Sequence, residues 1–244
     1  MMMKETPLGL FGENNNLHIA FFKKNISLTD VTQHFPQADF HRLVQTHSDI
    51  SALASEQTLT SDPTLGPSKT EGDSLVASGA TFRGALGIST ADCLPVILVS
   101  KNKLAGVHAG WRGVENEIIY KTLQNHFAAE ESISAYVGPH IQWSSFEVDR
   151  ELGEKFLIQY QEYASLAQQQ YKPEMVLKAS ATNSEKSYIN LSVIARCQLM
   201  AGGVSAENIW ISNIDTKTDH TWASFRREGR NMGKNLSFVS RRNS

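Results

Sequence analysis

The apolar run Leu94, Val96, Ile97, Leu98 and Val99, interrupted near its start by Pro95, predicts a buried strand over residues 94–99. A polar turn, Ser100-Lys-Asn-Lys103, separates it from a second apolar run, read as the next strand over 104–107. Cys93 stands just before the first strand and His108 just after the second. If the two strands pair as a hairpin, those ends lie side by side. Further on, Val114, Ile118, Ile119, Leu123 and Phe127 recur at the spacing of an amphipathic helix and predict one over 112–127. Helices are also expected over 26–35, begun by Ser27 or Asp30, and over 146–160. A further helix is expected over 190–200, with Asn190 as N-cap and Gly202-Gly203 as its stop. Residues 134–137, 208–212 and 236–239 read as short strands. Residues 55–72, rich in Ser, Thr, Pro and Gly, read as one long loop of the kind that is functional or mobile. Strands and helices alternate imperfectly, and several connections are too short for parallel crossovers. The expected fold class is therefore α+β, with mixed β-sheets flanked by helices.

Composition narrows the function classes only modestly. The 244 residues are 41% hydrophobic and 20% charged, ordinary for a soluble globular protein with a substantial core. A formal net charge of −2 provides no basic field, which argues against a nucleic-acid partner. No apolar run approaches the ~20 residues that span a bilayer, so no membrane partner is expected. The opening Met-Met-Met-Lys-Glu-Thr-Pro lacks the apolar core and cleavage site of a secretion signal. Two cysteines, Cys93 and Cys197, do not make a disulfide framework, and a reduced cytoplasmic setting is the simplest reading.

A thiolate and an imidazole at one sheet edge point to a metal or a proton-transfer role. His47, in Gln45-Thr-His-Ser-Asp49 directly after Leu43-Val44, is a third candidate. Taken alone, Cys93 reads as a small buried hydrophobe, His108 as a satisfied strand-end histidine and His47 as a surface loop residue. Cys197 lies among Val193, Ile194 and Met200 and reads as core. Gly72-Asp-Ser-Leu75 spells a short lipase signature, but no partner histidine motif stands near the C-terminus.

Longer motifs change the weighing. Gln45-Thr-His47, Gly72-Asp-Ser-Leu-Val76, Thr90-Ala-Asp-Cys-Leu-Pro-Val96, His108-Ala-Gly-Trp-Arg-Gly113, Gly138-Pro-His-Ile141 and Ser224-Phe-Arg-Arg227 run through most of the chain. In these motifs the sequence resembles the laccase-domain (YfiH-like) family, also called polyphenol oxidoreductase or purine nucleoside phosphorylase proteins. The resemblance implies a single catalytic domain over 1–244, with metal ligands at His47, Cys93 and His108. Zinc suits such a Cys-His-His set, with copper as the alternative. It further implies phosphorolysis of adenosine or inosine, extending to methylthioadenosine, with adenosine deamination as a second activity. The partners are then a purine nucleoside and phosphate.

Around the ligands, Asp92 is expected to support Cys93, and Asp73 to act as a general base or to orient a ligand. Arg112 follows His108 at a predicted helix start, where its planar fork suits phosphate. His140 is a candidate catalytic residue or a turn residue after Pro139, and Arg226 and Arg227 are candidates for the anion site. His140 and the stretch Asn213-Ile-Asp-Thr216 stand where the family usually carries other residues, cysteines among them, which weakens any scheme with several metal centres. The competing functions are a copper-dependent polyphenol oxidase, a metal-free hydrolase with Cys93 as nucleophile and His108 as base, and a binding module without catalysis.

Overall fold

The strands predicted around the polar turn do pair, and they form the centre of the molecule. In the computed structural model, residues 1–14, 16–64, 66, 68–79, 82–170 and 172–241 are described. β8 (Leu94–Val99) and β9 (Lys103–Ala109) are antiparallel, with Leu94 opposite Ala109 and Pro95 opposite His108. His108 is therefore the penultimate residue of its strand rather than the first beyond it. The strand lengthens because the His108 amide donates to the Asp73 carbonyl, 2.7 Å away. The central sheet runs β14 (Ile209–Ile211), β10 (Ser134–Val137), β8, β9, β6 (Ser74–Ser78), β5 (Ser51–Leu53). It is mixed: β5–β6 and β10–β14 are parallel and the other pairs antiparallel.

Both faces of this sheet are covered, which is why β8 reads as a nearly continuous apolar run. Leu94, Val96 and Leu98 pack towards the helices, whereas Ile97 packs against a second sheet. That second sheet runs β1 (Lys4–Thr6), β2 (Gly9–Asn14), β3 (Leu17–Phe22), β15 (Asn235–Arg241), β7 (Ala85–Thr90), β4 (Phe40–Arg42). Its outer face carries Phe11, Phe22 and Phe238 together with Val31 of α1 (Leu28–His34). The two expected starters of α1 act together: the Asp30 amide donates to the Ser27 hydroxyl, and the Ser27 amide donates to the Asp30 carboxylate. A small third sheet, β11 (Glu147–Asp149), β13 (Lys186–Ile189) and β12 (Leu177–Ala179), lies against α4 (Arg150–Leu166), which packs in turn on α5 (Leu191–Ala201).

Two predicted helices differ in the structure. The segment 112–127 divides into α2 (Trp111–Glu115), α3 (Ile118–Thr122) and a π-helical turn, Leu123–Phe127. Glu117 breaks the run with φ 66°, in the left-handed region. Side chains brace the break: Gln159 Nε2 donates to Glu115 O at 2.9 Å, and Gln198 Nε2 donates at 2.8 Å to Val114 O, which also accepts from the Glu117 amide. The segment 146–160 begins as β11, because pairing with β13 overrides the helical pattern, and α4 then runs on to Leu166. α5 matches its expected span, although the Asn190 carboxamide accepts from the Ser192 hydroxyl rather than from a helix amide. Apart from a 3₁₀ turn at Glu56–Thr58 and isolated bridges, the described part of 55–72 carries no helix or strand; Leu65 and Pro67 lie outside the described residues.

Gly138, at the end of β10, lies against the ring of Phe21: a Cβ there would sit 2.2 Å from Phe21 Cδ1. Gly138→Ala is expected to cost about 1–3 kcal/mol of stability by overpacking. A urea unfolding midpoint equal to that of the parent protein would contradict this packing. Among the described residues no helix is long and apolar enough to cross a membrane.

Candidate metal centre

One carboxylate organises the site. Asp73, just before β6 and 2% exposed, accepts from the backbone amides of Thr46 (3.1 Å), His47 (3.1 Å) and Ser48 (2.7 Å). It also accepts from the Thr46 and Ser48 hydroxyls at 3.2 and 2.7 Å. These bonds hold the turn in which His47 adopts φ 59°, a left-handed conformation that needs such support. The same carboxylate accepts from His108 Nδ1 at 2.7 Å, which fixes the ring and leaves Nε2 as the nitrogen turned to the site. Burial opposes ionisation of Asp73, but the bonds from His108 and Ser48 outweigh it and hold the carboxyl well below its ordinary range.

His47, Cys93 and His108 converge so that one donor atom from each lies within 4.8 Å of the others. His47 Nε2 is 4.0 Å from Cys93 Sγ, and the two imidazole rings stand edge to face with centroids 4.7 Å apart. Burial opposes charge on both Cys93 and His108, yet their mutual attraction prevails. The adjoining imidazoles bring the thiol down to about 6. The thiolate, with Asp73 behind the ring, raises His108 to about 9. A thiolate, one imidazole whose second nitrogen is anchored, and a second imidazole make a donor set that fits a borderline-soft divalent ion. Gly110 permits the backbone to approach, since a Cβ there would lie 2.9 Å from His47 Cδ2 and 3.1 Å from Cys93 Sγ.

Asp92 secures the turn before Cys93. Its Oδ1 accepts from the Thr216 hydroxyl and its Oδ2 from the Arg226 amide, each at 2.7 Å, while its carbonyl accepts from Ile141 N. Asp92 thus ties the Cys93 turn to α6 (Phe225–Glu228). The cluster opens into a cavity of about 670 Å³ that extends along the outer face of the second sheet. Trp111, Phe146, Ile141 and Leu191 give it apolar walls, and Arg112 and Arg226 stand on its lining. The Arg112 guanidinium lies 4.1 Å from the Trp111 ring centroid; Arg226 lies 5.4 Å from that of Phe146 and donates to Glu147 O at 2.7 Å.

Three expected site residues sit elsewhere. Arg227 does not line the cavity: its guanidinium donates to the carbonyls of Thr216, Lys217 and Trp222 and pairs with Glu228, so it staples the chain around α6. His140 is buried in the turn after Pro139, with Nδ1 on the Gly138 carbonyl at 2.8 Å and Nε2 against Gln142 at 3.1 Å, and does not reach the cavity wall. Asp73 lies behind His108, with Oδ1 on Nδ1 of that ring, and is not on the main cavity's lining. Arg42 and Lys234 lie outside the motifs and enter the lining only through the pairing of β4 and β15 with β7, whereas Phe225 lines the cavity from within Ser224-Phe-Arg-Arg227.

A family described as multi-copper polyphenol oxidoreductase laccase matches residues 18–242. A purine nucleoside phosphorylase of Clostridium acetobutylicum is 28% identical over 92% of this chain and 86% of its own length. The adenosine deaminase RL5, from an unknown prokaryotic organism, is 32% identical over 64% of this chain and 58% of its own. A purine nucleoside phosphorylase of Bacteroides thetaiotaomicron is 34% identical over 63% of this chain; the match spans 56% of that relative. Among solved structures, the hypothetical protein YfiH of Bacillus licheniformis has a TM-score of 0.76 at 18% identity over 98% of both chains. YlmD of Geobacillus stearothermophilus has a TM-score of 0.71 at 19% identity, over 98% of this chain and 94% of its own.

Proposed function

Because this chain belongs to the multi-copper polyphenol oxidoreductase laccase family, we propose that residues 1–244 act as one catalytic domain on purine nucleosides, with zinc held by His47, Cys93 and His108. The reaction is phosphorolysis of adenosine or inosine, extending to methylthioadenosine, with adenosine deamination as a second activity; cytoplasmic action accords with two free cysteines. The observation that carries this reading is the convergence of three donor atoms within 4.8 Å at the mouth of a cavity with cations on its wall. The names of the relatives supply the substrate class.

His47, Cys93 and His108 would hold such an ion, and it would supply Lewis-acid chemistry there. The remaining work falls to the chain. Asp73 keeps the His108 proton on Nδ1, so that Nε2 stays available as a donor atom. Trp111, Phe146, Ile141 and Leu191 give a base apolar walls that exclude water around it. Arg112 and Arg226 neutralise phosphate on the cavity wall. Copper oxidase chemistry with several metal centres is disfavoured, since among the described residues no second converging group of His, Cys, Asp or Glu accompanies this one.

Arg112→Ala provides the test. Losing a charge-assisted hydrogen bond should weaken phosphate binding by about ten- to a hundredfold. Deamination requires only water and should fall far less. Rates of both reactions across a phosphate titration decide the matter, and an equal loss in the two would remove Arg112 from the anion site. One observation favours a second reading: Cys93, His108 and Asp73 also stand in the order of a nucleophile, its base and the base's orienting carboxylate. A cysteine hydrolase would keep its metal content indifferent to Cys93, which the nucleoside enzyme would not.

A further inference from the structure

We propose that Phe225 stacks on the purine base and is the side chain by which the cavity holds a flat heterocycle beside the His47–Cys93–His108 cluster. This rests on the nucleoside reading above and adds to it the residue that grips the base.

Among the described residues, Trp111, Phe146 and Phe225 are the aromatic side chains other than histidine on the cavity lining, and they differ in how much ring they leave open. Phe146 is 8% exposed, with the Arg226 guanidinium 5.4 Å from its ring centroid. Trp111 is half-buried, with the Arg112 guanidinium 4.1 Å from its centroid. Phe225 is 51% exposed, and among the described residues no ring or cation stacks on it. It belongs to none of the apolar clusters of the core. A single phenylalanine exposed on a convex surface has no special meaning. Phe225 instead leaves apolar area open on a cavity wall, where a ligand can cover it.

The chain holds this residue from both sides. The Arg226 amide, which follows Phe225 directly, donates to Asp92 Oδ2 at 2.7 Å, and Asp92 precedes Cys93. On the other side Ser224 is fully buried; its hydroxyl accepts from the Arg227 amide at 3.3 Å and its carbonyl from the Glu228 amide at 2.9 Å. The Asn235 carboxamide accepts from the Ala223 amide at 2.8 Å and donates to the Ala223 carbonyl at 3.0 Å. An aromatic side chain has two rotatable bonds, so on a backbone this fixed it loses little freedom when a ligand covers it.

Its place decides what it covers. Phe225 is one peptide bond from an amide tied to Asp92, so it stands beside the turn that carries Cys93. Deamination brings C6 of the base to the cluster, and the ribose then extends away from it. The ring beside the cluster therefore meets the base rather than the sugar. Stacking requires only a π-face and is indifferent to the group at C6. Phe225 thus serves adenosine and inosine alike, whereas a hydrogen bond to the C6 substituent would separate them.

Calorimetric titration in phosphate-free buffer tests this, with inosine and its free base hypoxanthine as probes. Inosine has no amino group to lose and is not cleaved without phosphate, so binding is read without turnover. Phe225→Ala, with its unfolding midpoint and metal content measured, is expected to weaken inosine and hypoxanthine by a similar factor, about 10- to 100-fold. Phe225→Tyr should keep both affinities, and Phe225→Leu, apolar but not flat, should lose most of them. In turnover, Phe225→Ala should raise KM for adenosine and inosine together, with kcat little changed. Inosine bound equally by the parent protein and by Phe225→Ala overturns the proposal. So does a loss for inosine with hypoxanthine unaffected, which would give Phe225 to the sugar. Should Phe225→Ala not fold, unchanged affinities in Phe225→Leu overturn it by themselves. Inosine that the parent protein does not bind at all would overturn the nucleoside reading, and the proposal with it.

Discussion

Cys93→Ala is expected to abolish both bound metal and turnover while leaving the fold intact. Cys93 is only half-buried, and its sulfur faces the two imidazoles rather than the core. Truncating it therefore removes little packing. It removes, however, the one thiolate of the three-atom donor set, and with it the charge that balances a cation. His47→Ala and His108→Ala should behave alike for metal. The check is metal content, thermal unfolding and turnover measured on the same preparations. Full metal content with turnover alone abolished in Cys93→Ala would transfer the site to the cysteine-nucleophile reading.

Asp73→Ala is expected to damage the fold as well as the site. The substitution leaves the amides of Thr46, His47 and Ser48 without their acceptor and the His108 imidazole without its partner. Breaking a buried pair in this way costs about 3–5 kcal/mol. The His47 turn, held at a positive φ, loses its support at the same time. Metal affinity should fall at least 10- to 100-fold, as for other partners of ligating histidines. Because the folded carboxyl titrates below its ordinary value of 3.8, its contribution is present above that value and is lost as pH falls further towards the folded pKa. Urea unfolding at neutral and acid pH, with a metal titration, measures each part; an unchanged midpoint at neutral pH would show that Asp73 does not hold the loop.

The convergence of His47, Cys93 and His108 was legible because Cys93 and His108 stand at the ends of paired strands and all three lie within local motifs. The hairpin carrying Cys93 and His108 needs only an apolar run buried on both faces and a four-residue polar turn. Asp73 was legible as a carboxylate near the cluster in Gly72-Asp-Ser-Leu75, but its hydrogen bond to His108 was not, since that partner lies 35 residues on. The broken helix over 112–127 was hidden for a definite reason. Its apolar spacing is helical throughout, but the side chains that compensate the break come from Gln159 and Gln198, far along the chain. Long-range pairing also concealed the second sheet, where β15 inserts between β3 and β7 and brings Lys234 onto the face that holds Arg42. Arg227 and His140 belonged to the right motifs but turn inward, onto carbonyls and a neighbouring carboxamide. A motif places a residue near a site; which way its side chain turns depends on partners the motif does not contain.

The most direct test of the metal centre is elemental analysis of the untreated protein, purified without added metal, alongside its activity before and after chelation. About one zinc per chain is expected, with nucleoside turnover lost on chelation and regained when zinc is restored. Full turnover in a preparation free of metal, or several copper ions per chain, would contradict it.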